Sequence, residues 1–135
     1  MPILSWNSSL AIGIASIDAQ HQQLVSYLNE LYDAMSAKKG PEVTGRILNQ
    51  LVDYTVKHFA HEEQFFATTG YPDSAAHIKE HNDLKQKVSD FGKAFAAGTA
   101  SINADLMNFL RSWLMTHIMQ SDKKYAPHLK AKGVV

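Results

Sequence analysis

Four long segments carry apolar residues at helical spacing, and short runs of helix breakers separate them. The first covers about 17–39, with Ile17, Leu24, Leu28, Leu31 and Met35 three, four or seven residues apart. The second covers about 41–68 and places Ile47, Leu48, Leu51, Val52, Thr55 and Phe59 on one side. The third covers about 73–97, with Ile78, His81, Leu84, Val88, Phe91 and Phe95 expected inward. The fourth covers about 101–126, with Leu106, Phe109, Leu110, Trp113, Leu114 and Ile118. Lys38-Lys39-Gly40-Pro41, Thr69-Gly70-Tyr71-Pro72 and Gly98 supply the stops, and Ser101 reads as an N-cap. Pro127 is expected to lie beyond the end of the last segment.

No stretch alternates as a strand does. Helices of 20 or so residues are about 30 Å long. Joined by short loops, they pack most simply as an antiparallel up-down-up-down four-helix bundle, an all-α fold. The 135 residues are one domain's worth. An arm over residues 1–16, carrying Trp6 and Gly13, is expected to lie over one end of the bundle.

Thirteen basic and thirteen acidic residues cancel, which disfavours nucleic acid and anionic membrane surfaces as partners. Without cysteine the chain has no disulfide, thiolate nucleophile, iron–sulfur cluster or zinc finger. No run approaches about 18 consecutive apolar residues, and Met1–Asn7 lack the features of a secretory signal. The location expected from these readings is the cytoplasm.

Seven histidines then stand out: His21, His58, His61, His77, His81, His117 and His128. Each helical segment carries at least one. His58 with Glu62, and His77 with His81, are spaced i, i+4, so each pair shares a face one turn apart. Their apolar neighbours lie on the same stripe, which turns the pairs inward. Buried imidazoles and carboxylates need partners, and a metal satisfies all of them together. His117 and Asp122 are five apart, roughly 140° from a common face on a regular helix. If both point inward, the helix must loosen around Ile118–Ser121 into a π-bulge or a frayed turn. His61 is read as solvent-facing or as a neighbour of the site, and His128 as exposed.

Imidazole and carboxylate without thiolate suit iron, zinc or manganese. Seven ligands are too many for one tetrahedral zinc and suit two ions sharing bridging carboxylates. His61-Glu62-Glu63-Gln64-Phe65 fails as a zinc-protease HExxH motif because position 65 is Phe. The Glu-x-x-His pairs of ferritin-like bundles are also missing, since no glutamate has histidine three residues later.

Taken together, Gly13-Ile14, Ile17-Asp18-Ala19-Gln20-His21, His58-Phe59-x-x-Glu62-Glu63, Gly70-Tyr71-Pro72, His77-x-x-x-His81, Trp113-Leu114-x-x-His117-Ile118 and Asp122-x-x-Tyr125 resemble the hemerythrin family in its bacterial form. The resemblance spans about 6–126. Phe66 departs from it, standing where the family often has Met. The resemblance implies a non-haem di-iron centre. One iron would be held by His77, His81 and His117, the other by His21 and His58. Glu62, Asp122 and an oxo or hydroxo group would bridge them. The second iron is then one ligand short, and the open position is where dioxygen would bind. Leu24, Phe59, Trp113, Leu114 and Ile118 would line a dry pocket, with Ile17 beside an entry route.

The expected function is reversible dioxygen binding for storage, delivery or sensing, by a freestanding, monomeric, non-enzymatic carrier. An oxygen-consuming enzyme would be its client. The competing readings are a di-iron oxidase, a peroxidase-like or nitric-oxide-handling enzyme, and an iron-binding protein.

Overall fold

The computed structural model describes residues 3–135, and every regular element among them is helical. A short 3-10 turn at Ser8–Leu10 precedes α1 (Ala15–Ser36), α2 (Pro41–Thr69) and α3 (Ser74–Ala96). The last helix is built from α4 (Ala104–Thr116), a π-helical turn (His117–Asp122) and α5 (Lys123–Ala131), which follow without interruption. The four long helices form a bundle around one apolar core.

The breakers act near the expected places, with local differences. α1 ends at Ser36, three residues early, because Lys38 takes a left-handed conformation (φ 54°) and the Lys39 N–H turns back to the Ala34 carbonyl. Gly40 then takes φ 91°, and Pro41 opens α2 as its first residue. Asn103, not Ser101, caps α4, its side chain accepting the Leu106 N–H at 3.0 Å. Pro127 lies inside α5, so the final helix runs past it to Ala131 rather than ending before it. Proline sits here in the second turn after the π-helical segment.

The arm does not simply cover one end. It runs beside α1, where Asn29 clamps Leu4 by accepting its N–H (3.0 Å) and donating to its carbonyl (2.7 Å). Leu4, Leu10, Ile12 and Ile14 are buried along this path. At its end Asp18 accepts the N–H groups of Ile12 and Gly13, at 2.8 and 3.0 Å.

α3 is the least embedded helix. Its buried residues, His77, His81 and Leu84, all lie in its first half. Ile78, Val88, Phe91 and Phe95 are half-buried instead of fully inward, because α3 packs principally on α2. No helix among the described residues is long and apolar enough to cross a membrane.

Candidate metal centre

The π-helical turn is the local event that assembles the centre. In α-geometry His117 and Asp122 diverge; the wider turn brings His117 Nε2 within 3.1 Å of Asp122 Oδ1. Both side chains are buried, as are His21, His58, Glu62, His77 and His81. All seven predicted residues thus meet in the bundle interior.

Each imidazole presents Nε2 to a carboxylate. Asp122 Oδ1 faces His77 and His117, both at 3.1 Å, while its Oδ2 faces His21 at 2.9 Å. Glu62 Oε1 lies between His58 (3.1 Å) and His81 (3.3 Å). Two overlapping donor sets result, Glu62–His77–His81–His117 and His21–His58–Glu62–Asp122, each with ligand atoms within 4.8 Å of one another.

These close approaches do not satisfy the groups involved. Among the described residues, nine buried side-chain nitrogen and oxygen atoms lack a hydrogen-bond partner, and all belong to His21, Glu62, His77, His81, His117 and Asp122. Orphaned buried polar atoms are rare because each costs about 1–3 kcal/mol. Separations of 2.9–3.3 Å have a simple reading. Two atoms each bound about 2.1 Å from one cation, at a right angle, lie about 3 Å apart. The donor set therefore fits divalent metal ions of six-coordinate habit better than it fits itself.

Electrostatics agree. Burial and Asp122 push the Glu62 carboxyl up, but His58 and His81 outweigh them and hold it down at about 2. Burial likewise opposes ionisation of Asp122, yet His117, His21 and His77 hold it well below the usual carboxylate range. Burial lowers His117, but Asp122, Glu62 and Glu80 raise it on balance. Two carboxylates therefore stay anionic in an apolar interior, a demand for positive charge that cations meet.

The outer nitrogens follow a rule that sequence reading missed. His58 Nδ1 donates to Gln20 Oε1 at 2.6 Å, and His81 Nδ1 to Glu63 Oε2 at 2.9 Å. Glu80 Oε1 stands 3.5 Å from His117 Nδ1, its carboxylate held by the Ser121 hydroxyl at 2.7 and 2.9 Å. Gln20, Glu63 and Glu80 each adjoin a predicted ligand of their own helix: His21, Glu62 and His81. One residue is about 100° of helix rotation, so the neighbour reaches across to the ring on the next helix. Tyr125, three residues after Asp122, donates its hydroxyl to Glu62 Oε2. That adjacency was the available signal.

Phe59 stacks on His81 with centroids 3.8 Å apart, and Trp113 on His117 at 4.4 Å. Phe66 packs edge-on against His77 and Tyr125. An apolar cavity of about 420 Å³ opens beside the cluster. Of the predicted lining, Leu24, Phe59, Trp113 and Leu114 border it. Ile118 is fully buried but does not, since it lies one residue past His117 and faces elsewhere. Ile17 is also buried and away from the cavity.

His61 and His128 stay outside the cluster. His61 is half-buried, 3.0 Å from the Ser16 hydroxyl and edge-on to Phe65. His128 is not exposed as expected. It is half-buried against Tyr71 and donates Nε2–H to the Thr69 carbonyl at 2.9 Å, because α5 continues past Pro127.

The hemerythrin HHE cation-binding domain model matches residues 12–129. A bacteriohemerythrin of Methylococcus capsulatus is 36% identical over 132 residues, covering 97% of this chain and all of that protein. One of Stenotrophomonas maltophilia is 37% identical over 131 residues, covering 97% of this chain and 84% of its own. A crystal structure of wild-type hemerythrin superposes with a TM-score of 0.90 at 36% identity, covering 94% of this chain and 98% of that one. By its fold, its buried donor cluster and these relatives, the chain belongs to the hemerythrin family.

Proposed function

We propose that this protein binds dioxygen reversibly at a di-iron centre. In this reading His77, His81 and His117 would hold one iron and His21 and His58 the other, with Glu62 and Asp122 shared between them. The supporting observation is the convergence of unpartnered nitrogens and oxygens on two overlapping donor sets, three imidazoles in one and two in the other. The unequal imidazole count would leave one ion short of a protein ligand, and the apolar cavity reaches the cluster at both imidazoles of that set, His21 and His58, and at one of the other, His117. A reduced iron pair supplies the two electrons that dioxygen binding draws on and returns.

The chain's own residues make that exchange reversible. Glu62 and Asp122 each touch imidazoles of both sets, so they fix the spacing between them. Tyr125 occupies the remaining Glu62 oxygen and holds that carboxylate in place. The stacked Phe59 and Trp113 rings lock His81 and His117 against rotation. With Leu24 and Leu114 they present hydrocarbon to the open side, which keeps out the water and protons that would divert the reaction. Five neutral imidazoles to two carboxylates favour binding over oxidase chemistry, which calls for more electron-rich donors.

The test is a spectroscopic cycle. Iron-loaded protein is reduced without oxygen, exposed to it, then returned to vacuum. A visible band that appears and then fades to the colourless reduced form is expected. Immediate conversion to a spectrum that vacuum does not reverse, with release of peroxide, would reject the carrier reading in favour of the enzymatic one.

A further inference from the structure

The cavity is larger than a diatomic ligand needs, and the metal ligands occupy only one end of it. Its walls continue away from them along Leu28, Leu48, Leu51, Val88 and Leu110. Along α3 the lining extends from Leu84 to Gly92, eight residues and about 12 Å of helix. The lining residues of α2 and α3 that reach solvent, Asn49 and Val56 on one and Lys85, Ser89 and Gly92 on the other, put the opening between these two helices. This seam stays open because α3 buries no residue beyond Leu84, and a side chain on Gly92 would meet nothing within 4 Å.

The charge at this opening is one-sided. Apart from the histidines and Asp122 of the donor cluster, Lys85 is the one charged residue among the described residues of the lining. It forms no ion pair among the described residues. Asn49 and Ser89 add neutral hydrogen-bonding groups nearby. At 43% exposure, Val56 keeps an apolar surface at the entrance. An elongated apolar channel with a few polar groups at its mouth is the usual form of a small-molecule site. Here those groups select an anion with a hydrocarbon tail.

We propose that this channel binds an aliphatic carboxylate of medium length. The carboxylate pairs with the Lys85 ammonium, and the chain runs along Val88, Leu48 and Leu110 away from the metal ligands. The tail buries its own hydrocarbon against an apolar wall, and the head supplies the counter-charge that Lys85 lacks. The occupant closes the α2–α3 seam beside the metal cluster without touching a metal ligand. The inference does not depend on what the metals bind.

Decanoate, with decanol as its uncharged counterpart, tests the proposal by calorimetry on iron-loaded protein. Saturable one-to-one binding of decanoate is expected, at least about ten-fold tighter than decanol. Lys85→Gln should erase that preference while leaving decanol binding unchanged. Val88→Trp, at a half-buried wall position, should abolish binding of both with iron content and helicity intact. Iron content and helicity are measured for each variant, and a Val88 variant that misfolds is replaced by Gly92→Phe at the mouth. Absence of saturable decanoate binding, equal affinity for decanol, or indifference to the Lys85 change would overturn the proposal and leave the channel a passage for small gases only.

Discussion

Glu62 gives its two oxygens to different tasks: Oε1 faces His58 and His81, and Oε2 takes the Tyr125 hydroxyl. Removing that hydroxyl by Tyr125→Phe leaves a buried carboxylate oxygen without its donor. A loss of about 1–3 kcal/mol in stability is expected by urea denaturation of the iron-free protein. Wild-type stability in the variant would show the contact to be incidental. The outer acceptors give a second prediction. Glu63→Gln keeps a hydrogen bond to His81 but removes its charge, and should weaken iron retention against a chelator by about ten-fold or more. Histidines differ sharply from one another. His117→Ala should lower bound iron, measured by colorimetric assay. His128→Ala should leave it unchanged and cost about 1 kcal/mol through the lost bond to Thr69. Equal effects on iron would refute the ligand assignment.

Among the elements, a loosened turn between His117 and Asp122, π-bulged or frayed, was readable before the structure, because spacing of five cannot place two inward residues on one α-helical face, and the structure takes the π form. The i, i+4 pairs on α2 and α3 were legible for the same geometric reason. Helix ends were less so: α1 stops where Lys38 adopts a left-handed conformation, and nothing in a lysine forecasts that. Asn103 beat Ser101 as a cap because both are competent and only the approach of the chain decides. The half-burial of α3 was also hidden, since periodicity reports which face is apolar and not how closely a neighbour covers it. At the start of α1, Gly13 takes φ 86°, and an added Cβ would lie 2.2 Å from Lys130 Nζ. The lysine tip can move, but the left-handed backbone cannot be relieved. Gly13→Ala should therefore cost about 1–2 kcal/mol in thermal or denaturant unfolding, with iron content unaffected.

For the whole molecule, the buried histidine–carboxylate cluster couples folding to pH. Glu62 and Asp122 have depressed values in the folded chain, Glu62 falling from 4.5 to about 2. Their contribution is therefore present above the unfolded values and lost as pH falls from about 4.5 towards 2. His117 is raised above 6.5, so its contribution is present below that pH and lost as pH rises through the folded value. Iron-free protein should consequently lose stability at both limbs in a denaturant series across pH. On the proposed ligation iron would replace the proton on His117, so loading should remove the alkaline limb and keep the acidic one. An alkaline limb that persists unchanged in loaded protein would show that the ions sit elsewhere. The bundle and the cluster could be read from sequence because helical period maps directly onto position, whereas the four cavity-lining residues named there, Leu24, Phe59, Trp113 and Leu114, came with the family resemblance. The channel beyond Leu24 and Phe59 could not, because it arises from the gap between two helices rather than from any residue's identity.

Oxygen uptake measured against iron content tests the central claim most directly. Reduced, fully loaded protein should take up about one dioxygen per two irons and release it quantitatively under vacuum, cycle after cycle. Uptake that continues beyond that ratio, or oxygen that cannot be recovered, would contradict reversible binding at a single two-iron centre.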